Sequence, residues 1–168
     1  MAVVIEDGTG KPNADSYATA LELADRAAAY GWTVPPDTTA QEVLLRRAAE
    51  AMNALRWKGD RAHGRAQALA WPRTGACVDG EVLPDDEIPA GIKYGQMALA
   101  VEIHADDLSP PESRTGAVVR KKVDVLEVEY AQVKNTGKLM RAAPERPSAV
   151  QFADYLARRG LFVPAIRA

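Results

Sequence analysis

One unbroken stretch, Gln67 to Pro89, constrains this chain more than any other. It follows neither a helical nor a strand rhythm, yet it repeats one device: Trp71-Pro72, Leu83-Pro84 and Ile88-Pro89. Each proline fixes its own φ and pushes the bulky residue before it towards extended geometry. Long loops inside compact domains are usually functional or binding segments. One anchored at Trp71-Pro72-Arg73-Thr74-Gly75 is expected to hold a defined shape, so the rest of the fold must be built around an ordered loop.

The remainder reads mainly as helix. Alanine dominates the apolar share, which favours helix over sheet, and 47% hydrophobic residues in 168 suffice for one domain with its own core. Thr19-Ala20-Leu21-Glu22 is a capping box that opens a helix to about Tyr30, with Gly31 past its end. Leu21, Ala24 and Ala28 form its expected stripe, flanked by Leu23, Ala27 and Tyr30. Thr39-Ala40-Gln41-Glu42 repeats the box. Leu44, Ala48, Ala51 and Leu55 then carry a second helix to about Trp57, and Gly59 ends it. Residues 62–70 suit a short helical turn. Pro89 fits the first turn of a third helix, with Ile88, Ile92, Leu99 and Ile103 inward and a fade at Asp106-Asp107. A fourth starts at Ser148, with Val150, Ala153 and Leu156 inward and Gly160 closing it.

Val3-Val4-Ile5 reads as a short strand, and residues 117–130 as one strand or a hairpin bending near Asp124. Residues 131–147 are polar and rich in Gly, Pro, Lys and Arg, the composition of a mobile arm, and Leu161-Phe162-Val163-Pro164 is an apolar tail of the kind that meets a partner. The expected fold is therefore mainly α: a small bundle of about four helices with a β-hairpin, a long ordered loop and an extended C-terminal arm. Residues 1–131 form the helical core with its hairpin; residues 132–168 form the mobile arm, terminal helix and tail.

Charge and motif content narrow the function. A net charge of −2 argues against a protein built chiefly to coat nucleic acid. The single Cys77 excludes an intramolecular disulfide. No apolar run reaches the roughly 18 residues of a membrane span, and Met1 to Asp7 lacks the basic start and apolar core of a signal peptide; a cytoplasm, or a particle assembled in one, is expected. His63 and His104 have no clustered co-ligands in sequence, and Gly8-Thr9-Gly10-Lys11 lacks the spacing of a phosphate loop. Asp79, Glu81, Asp85, Asp86 and Glu87 lack calcium-loop spacing; Asp85, Asp86 and Glu87 suit the positive end of the helix that follows. No catalytic residue, cofactor or metal is assigned.

The basic stretch carries more. Arg56, Lys58, Arg61, Arg65 and Arg73 interleave with Trp57 and Trp71, against one acid, Asp60. Basic groups that track phosphates and aromatics that stack bases make a sequence-neutral single-strand binder. The plainer reading makes both tryptophans core anchors and pairs the arginines with acidic neighbours, on the same chain or on the next subunit. There the stretch 56–73 would meet the stretch 79–87 in a complementary contact.

The order of motifs resembles a phage family. Glu6-Asp7-Gly8-Thr9-Gly10 and Asn13-Ala14-Asp15-Ser16-Tyr17 lead into a capped helix, and a second helix ends Arg56-Trp57-Lys58-Gly59. Gln67 to Gly75 reads Gln-x-Leu-x-Trp-Pro-Arg-x-Gly, followed by Ile88-Pro89 and Val128-Glu129-Tyr130. The chain thus resembles the head–tail adaptor, or head-completion, proteins of tailed bacteriophages, whose members are often labelled DnaT-like single-stranded-DNA-binding proteins. The resemblance covers most of residues 3–131. It implies a structural protein, not an enzyme: a homo-oligomeric, twelve-fold ring under the portal, located in the virion neck. Such a ring extends the channel for genomic DNA and receives tail or neck proteins, with no membrane involved. On that reading Arg56, Trp57, Arg61, Arg65, Trp71, Arg73, Asp85, Asp86 and Glu87 are candidate intersubunit or loop contacts. Arg158, Arg159, Leu161, Phe162 and Val163 are candidates for docking on the portal. The other label implies a replication accessory protein that binds single strands through Arg56, Trp57, Lys58, Arg61, Arg65 and Arg73.

Overall fold

A computed structural model describes residues 2–108, 120–123, 126–129 and 146–157. These are mainly helical. Helix α1 spans Ala20–Tyr30. Its capping box forms as expected: the Thr19 hydroxyl accepts from the Glu22 N–H at 3.2 Å, and the Glu22 carboxylate accepts from the Thr19 N–H at 2.7 Å. Gly31 closes it at φ 67°. Its buried face is Ala20, Leu23 and Ala27, while Leu21 is 70% exposed. The helix is thus rotated one residue from the expected stripe, because an alanine-rich helix offers more than one apolar face.

Helix α2 spans Thr38–Asn53, and its cap is Asp37 rather than Thr39. The Asp37 carboxylate accepts from the Ala40 N–H at 2.9 Å, and aspartate is at least as good a cap as threonine. The helix stops at Asn53, short of Trp57. Gln41, Leu44, Leu45, Ala48, Ala49 and Met52 face inward, and Ala51 and Leu55 do not. Helix α3 spans Ala90–Leu108, directly after Pro89. It buries Ile92, Gln96, Met97 and Ala100, with Ile88, Leu99 and Ile103 half-buried. Its wide inner surface follows from having α2 on one side and the short helix α4, Pro147–Phe152, on the other.

Helix α4 differs from expectation. Ser148 and Phe152 face inward, Val150 is 54% exposed, and the helix ends before Ala153. The cause is a polar clamp: the Ser148 N–H and hydroxyl donate to the Glu102 carboxylate of α3 at 2.9 and 2.8 Å. Gly95 lets the two helices approach, since a Cβ there would enter the Phe152 ring. Among the described residues no helix is long and apolar enough to cross a membrane.

Val3 to Ile5 form no strand. Ile5 makes a single parallel bridge to Ser16, because the chain turns away at Gly8. That turn is held by the fully buried Glu6, whose carboxylate accepts from the N–H groups of Gly8, Gly10 and Lys11 at 2.8–3.0 Å. The long loop is ordered by two small antiparallel pairs. Strands β1 (Asp60–Arg61) and β2 (Arg73–Thr74) close its base, enclosing the expected short helical turn at Gly64–Ala66. Strands β3 (Cys77–Val78) and β4 (Glu81–Val82) join through Asp79-Gly80, both at positive φ, the backbone that an Asp-Gly hairpin turn requires. Strands β5 (Arg120–Val123) and β6 (Leu126–Glu129) pair antiparallel with Val123 opposite Leu126, so the hairpin alternative for residues 117–130 is the observed one.

Two apolar clusters lie under these elements. One joins Leu23, Leu44, Leu45, Ala48 and Met97. The other joins Tyr17, Met52, Trp57, Trp71, Ile92 and Phe152, with Tyr155 and Leu156 against it. Residues 146–157, read from sequence as part of the C-terminal segment, therefore pack into the core. The arm at 131–145, Gly160 and the proposed portal-docking residues Arg158, Arg159, Leu161, Phe162 and Val163 lie outside the described residues.

Candidate functional site

The basic stretch is occupied with its own loop. Trp57 is 6% exposed and donates its indole N–H to the Met52 carbonyl at 2.9 Å; Trp71 is fully buried. The two rings meet edge to face at 6.1 Å, and Phe152 and Tyr155 pack edge-on against them. Neither offers a face to a nucleobase, so the stacking role read for Trp57 and Trp71 is corrected and their role as core anchors stands. Arg73 donates from Nε to the Lys58 carbonyl at 2.8 Å, from Nη1 to Ala70 at 3.0 Å and from Nη2 to Gly59. Burial pushes its guanidinium below the usual arginine value. Arg61 Nη1 donates to the Gln67 carbonyl at 3.3 Å and Lys58 Nζ to Cys77 at 3.0 Å. Among the described residues these cations hold backbone carbonyls, not carboxylates. Arg56 and Arg65 remain exposed, as do Asp85, Asp86 and Glu87 ahead of α3. Among the described residues no group of three or more His, Cys, Asp or Glu side chains is placed to hold a metal ion.

The residues of the family resemblance do structural work of the same kind. Asp15 accepts from the Val4 N–H at 2.7 Å and pairs with Arg46 of α2 at 2.8 Å. The hydroxyl of Tyr17 accepts from the Trp71 N–H at 2.9 Å, tying the first turn to the long loop. Gly59 sits at φ 66° where a Cβ would run into the Thr74 carbonyl, which explains the glycine closing Arg56-Trp57-Lys58-Gly59.

The surface that sequence reasoning missed lies between α1 and α3. Arg26 stands one turn before Tyr30 on α1, and Trp32 follows just past Gly31. The Arg26 guanidinium carbon lies 3.9 Å from the Tyr94 ring centroid, 4.6 Å from Tyr30 and 5.9 Å from Trp32. Tyr30 and Trp32 stack at 4.9 Å. Tyr30 is 59% and Tyr94 40% exposed. The cluster borders a groove of about 530 Å³ lined by Glu22, Asp25, Arg26, Tyr30, Lys93 and Tyr94. Arg26 Nε is buried without a hydrogen-bond acceptor among the described residues. The spacing of Arg26 and Tyr30 was legible as one helix face; the arrival of Tyr94 from α3 was not.

A family model described as "Putative DnaT-like ssDNA binding protein" matches residues 1–167. No curated protein and no solved structure matches the chain significantly. A match over nearly the whole length identifies the chain as a member of the DnaT-like ssDNA-binding protein family.

Proposed function

We propose that the protein is a non-catalytic structural part that works in contact with DNA, forming a ring below the portal of a tailed phage and joining head to tail. The observation that carries this reading is the use of the motif side chains. Of the residues that carry the resemblance, Gln67 and Arg73 bond within the loop 58–88, Tyr17 ties its Trp71 to the turn before α1, and Trp57 is held on the end of α2, so these side chains fix the loop instead of facing a ligand. Exposed apolar side chains such as Leu21, Val82, Leu108 and Val150 supply surface of the kind a closing ring buries. In that ring the exposed Arg56 and Arg65 meet Asp85, Asp86 and Glu87 of the next subunit. Residues Arg158 to Val163 dock on the portal, twelve copies close the circle, and the assembled protein resides in the virion neck.

The family description favours a second reading, a replication accessory protein that binds single-stranded DNA. In that case Trp57 and Trp71 do not stack on bases, because both are enclosed. Electron microscopy of the protein mixed with its cognate portal separates the two. A ring seated on the portal is the expected result. No ring, together with tight and salt-sensitive binding to an oligonucleotide, overturns the adaptor reading in favour of the second.

A further inference from the structure

We propose that the Arg26, Tyr30, Trp32 and Tyr94 cluster is a base-stacking site for single-stranded DNA; this inference rests on the single-strand reading. Among the described residues the aromatic side chains differ in exposure. Tyr17, Trp57, Trp71 and Phe152 are buried and Trp32 and Tyr155 are half-buried, whereas the exposed ones, Tyr30 and Tyr94, both lie on the same arginine. Single-strand binders combine stacking aromatics with arginine cation–π contacts, since every base has a π-face. Arg26 lies against both exposed rings, and its covered Nε has no acceptor among the described residues. The adjoining groove of about 530 Å³ falls in the range that small-molecule sites occupy and is roofless enough to admit a base from the side.

The rim sets the character of the contact. Arg26 and Lys93 are opposed by Asp25 and Glu22, and the Glu22 carboxylate is already committed to the Thr19 N–H and hydroxyl. A near-neutral rim gives little pull on phosphates, so the base carries the contact here, and the salt sensitivity of the single-strand reading comes chiefly from exposed cations outside the rim, such as Arg56 and Arg65. Lys93 has no ion-pair partner among the described residues and is placed to meet a phosphate, so Lys93→Ala is expected to reduce the salt slope by about one.

The test uses the full chain and a fluorescein-labelled oligothymidylate, with folding of each variant checked by circular dichroism. Tyr30→Ala and Tyr94→Ala are each expected to weaken binding about 5- to 150-fold, while Tyr94→Phe keeps it. The oligonucleotide is expected to quench the emission of the half-buried Trp32, a change absent in Trp32→Phe, because Trp57 and Trp71 are enclosed. If the native chain binds DNA but only Arg56→Ala and Arg65→Ala weaken it, the site lies elsewhere and the inference fails while the single-strand reading stands. If the native chain does not bind DNA at all, both fall. If Tyr30→Ala and Tyr94→Ala abolish self-association and leave DNA binding intact, the cluster is a protein contact and the inference fails.

Discussion

Burial raises the pKa of the Tyr17 phenol, because ionisation would place a charge inside the core, and the nearby Glu6 carboxylate adds to the effect. The neutral hydroxyl is the acceptor for the Trp71 N–H. In the unfolded chain a tyrosine ionises near pH 10. The stability that Tyr17 contributes is therefore fully present below about pH 10 and is lost as pH rises towards its elevated folded value. Tyr17→Phe removes the titrating group and orphans a buried N–H, so it is expected to cost about 1–3 kcal/mol at neutral pH. It also flattens the alkaline fall in stability, read by urea unfolding from pH 8 to 11. An equally steep fall in the variant would assign the alkaline sensitivity to other groups, such as the Tyr155 phenol, which burial also raises. The motif Asn13-Ala14-Asp15-Ser16-Tyr17 was visible in sequence, but its purpose was not, because the partner of Tyr17 lies 54 residues away. The same distance problem hid Tyr94 from Arg26.

At the scale of elements, local chemistry was legible and facing was not. The α1 capping box and its closing glycine depend on residues within one turn, and both form as the sequence reads. Which side of an alanine-rich helix turns inward depends on its neighbours, and there the expected stripes of α1, α2 and α4 shift. Gln96 shows why hydrophobicity misleads on α3. It is fully buried, and its Oε1 accepts from the N–H groups of Tyr17 and Ala18 at 2.9 and 3.1 Å. Its Nε2 donates to the Ser16 hydroxyl at 3.0 Å and to the Leu45 carbonyl of α2 at 2.9 Å. One amide thus pins the turn before α1 and the middle of α2 to α3. Gln96→Leu keeps the volume and takes the side-chain acceptor from the buried Tyr17 N–H, while the Ala18 N–H keeps the Ser16 hydroxyl as acceptor, so it is expected to lower the urea midpoint by an amount equivalent to about 1–3 kcal/mol, with the m-value unchanged. A loss below about 1 kcal/mol would mean that the helix contacts, not the amide, set the arrangement.

At the scale of the whole molecule, residues 153–157, which follow α4, are strapped across the start of the long loop. The Lys58 N–H donates to the Tyr155 carbonyl at 2.9 Å, the Ala157 N–H donates to the Arg56 carbonyl at 3.0 Å, and Trp57 pairs with Leu156. Phe152 meanwhile fills the space that Gly95 leaves and packs on Trp57 at 5.1 Å. The Arg56-Trp57-Lys58-Gly59 motif is therefore completed by residues about a hundred positions later, a dependence that no local pattern records. A chain ending at residue 145 would lack that strap and uncover both tryptophans, and losing Phe152 alone is worth about 3–5 kcal/mol. Its thermal midpoint is expected to fall by about 10 °C or more, with red-shifted tryptophan emission. An unchanged midpoint and emission would instead mean that residues 1–145 fold without the strap and that the strap is a docking element.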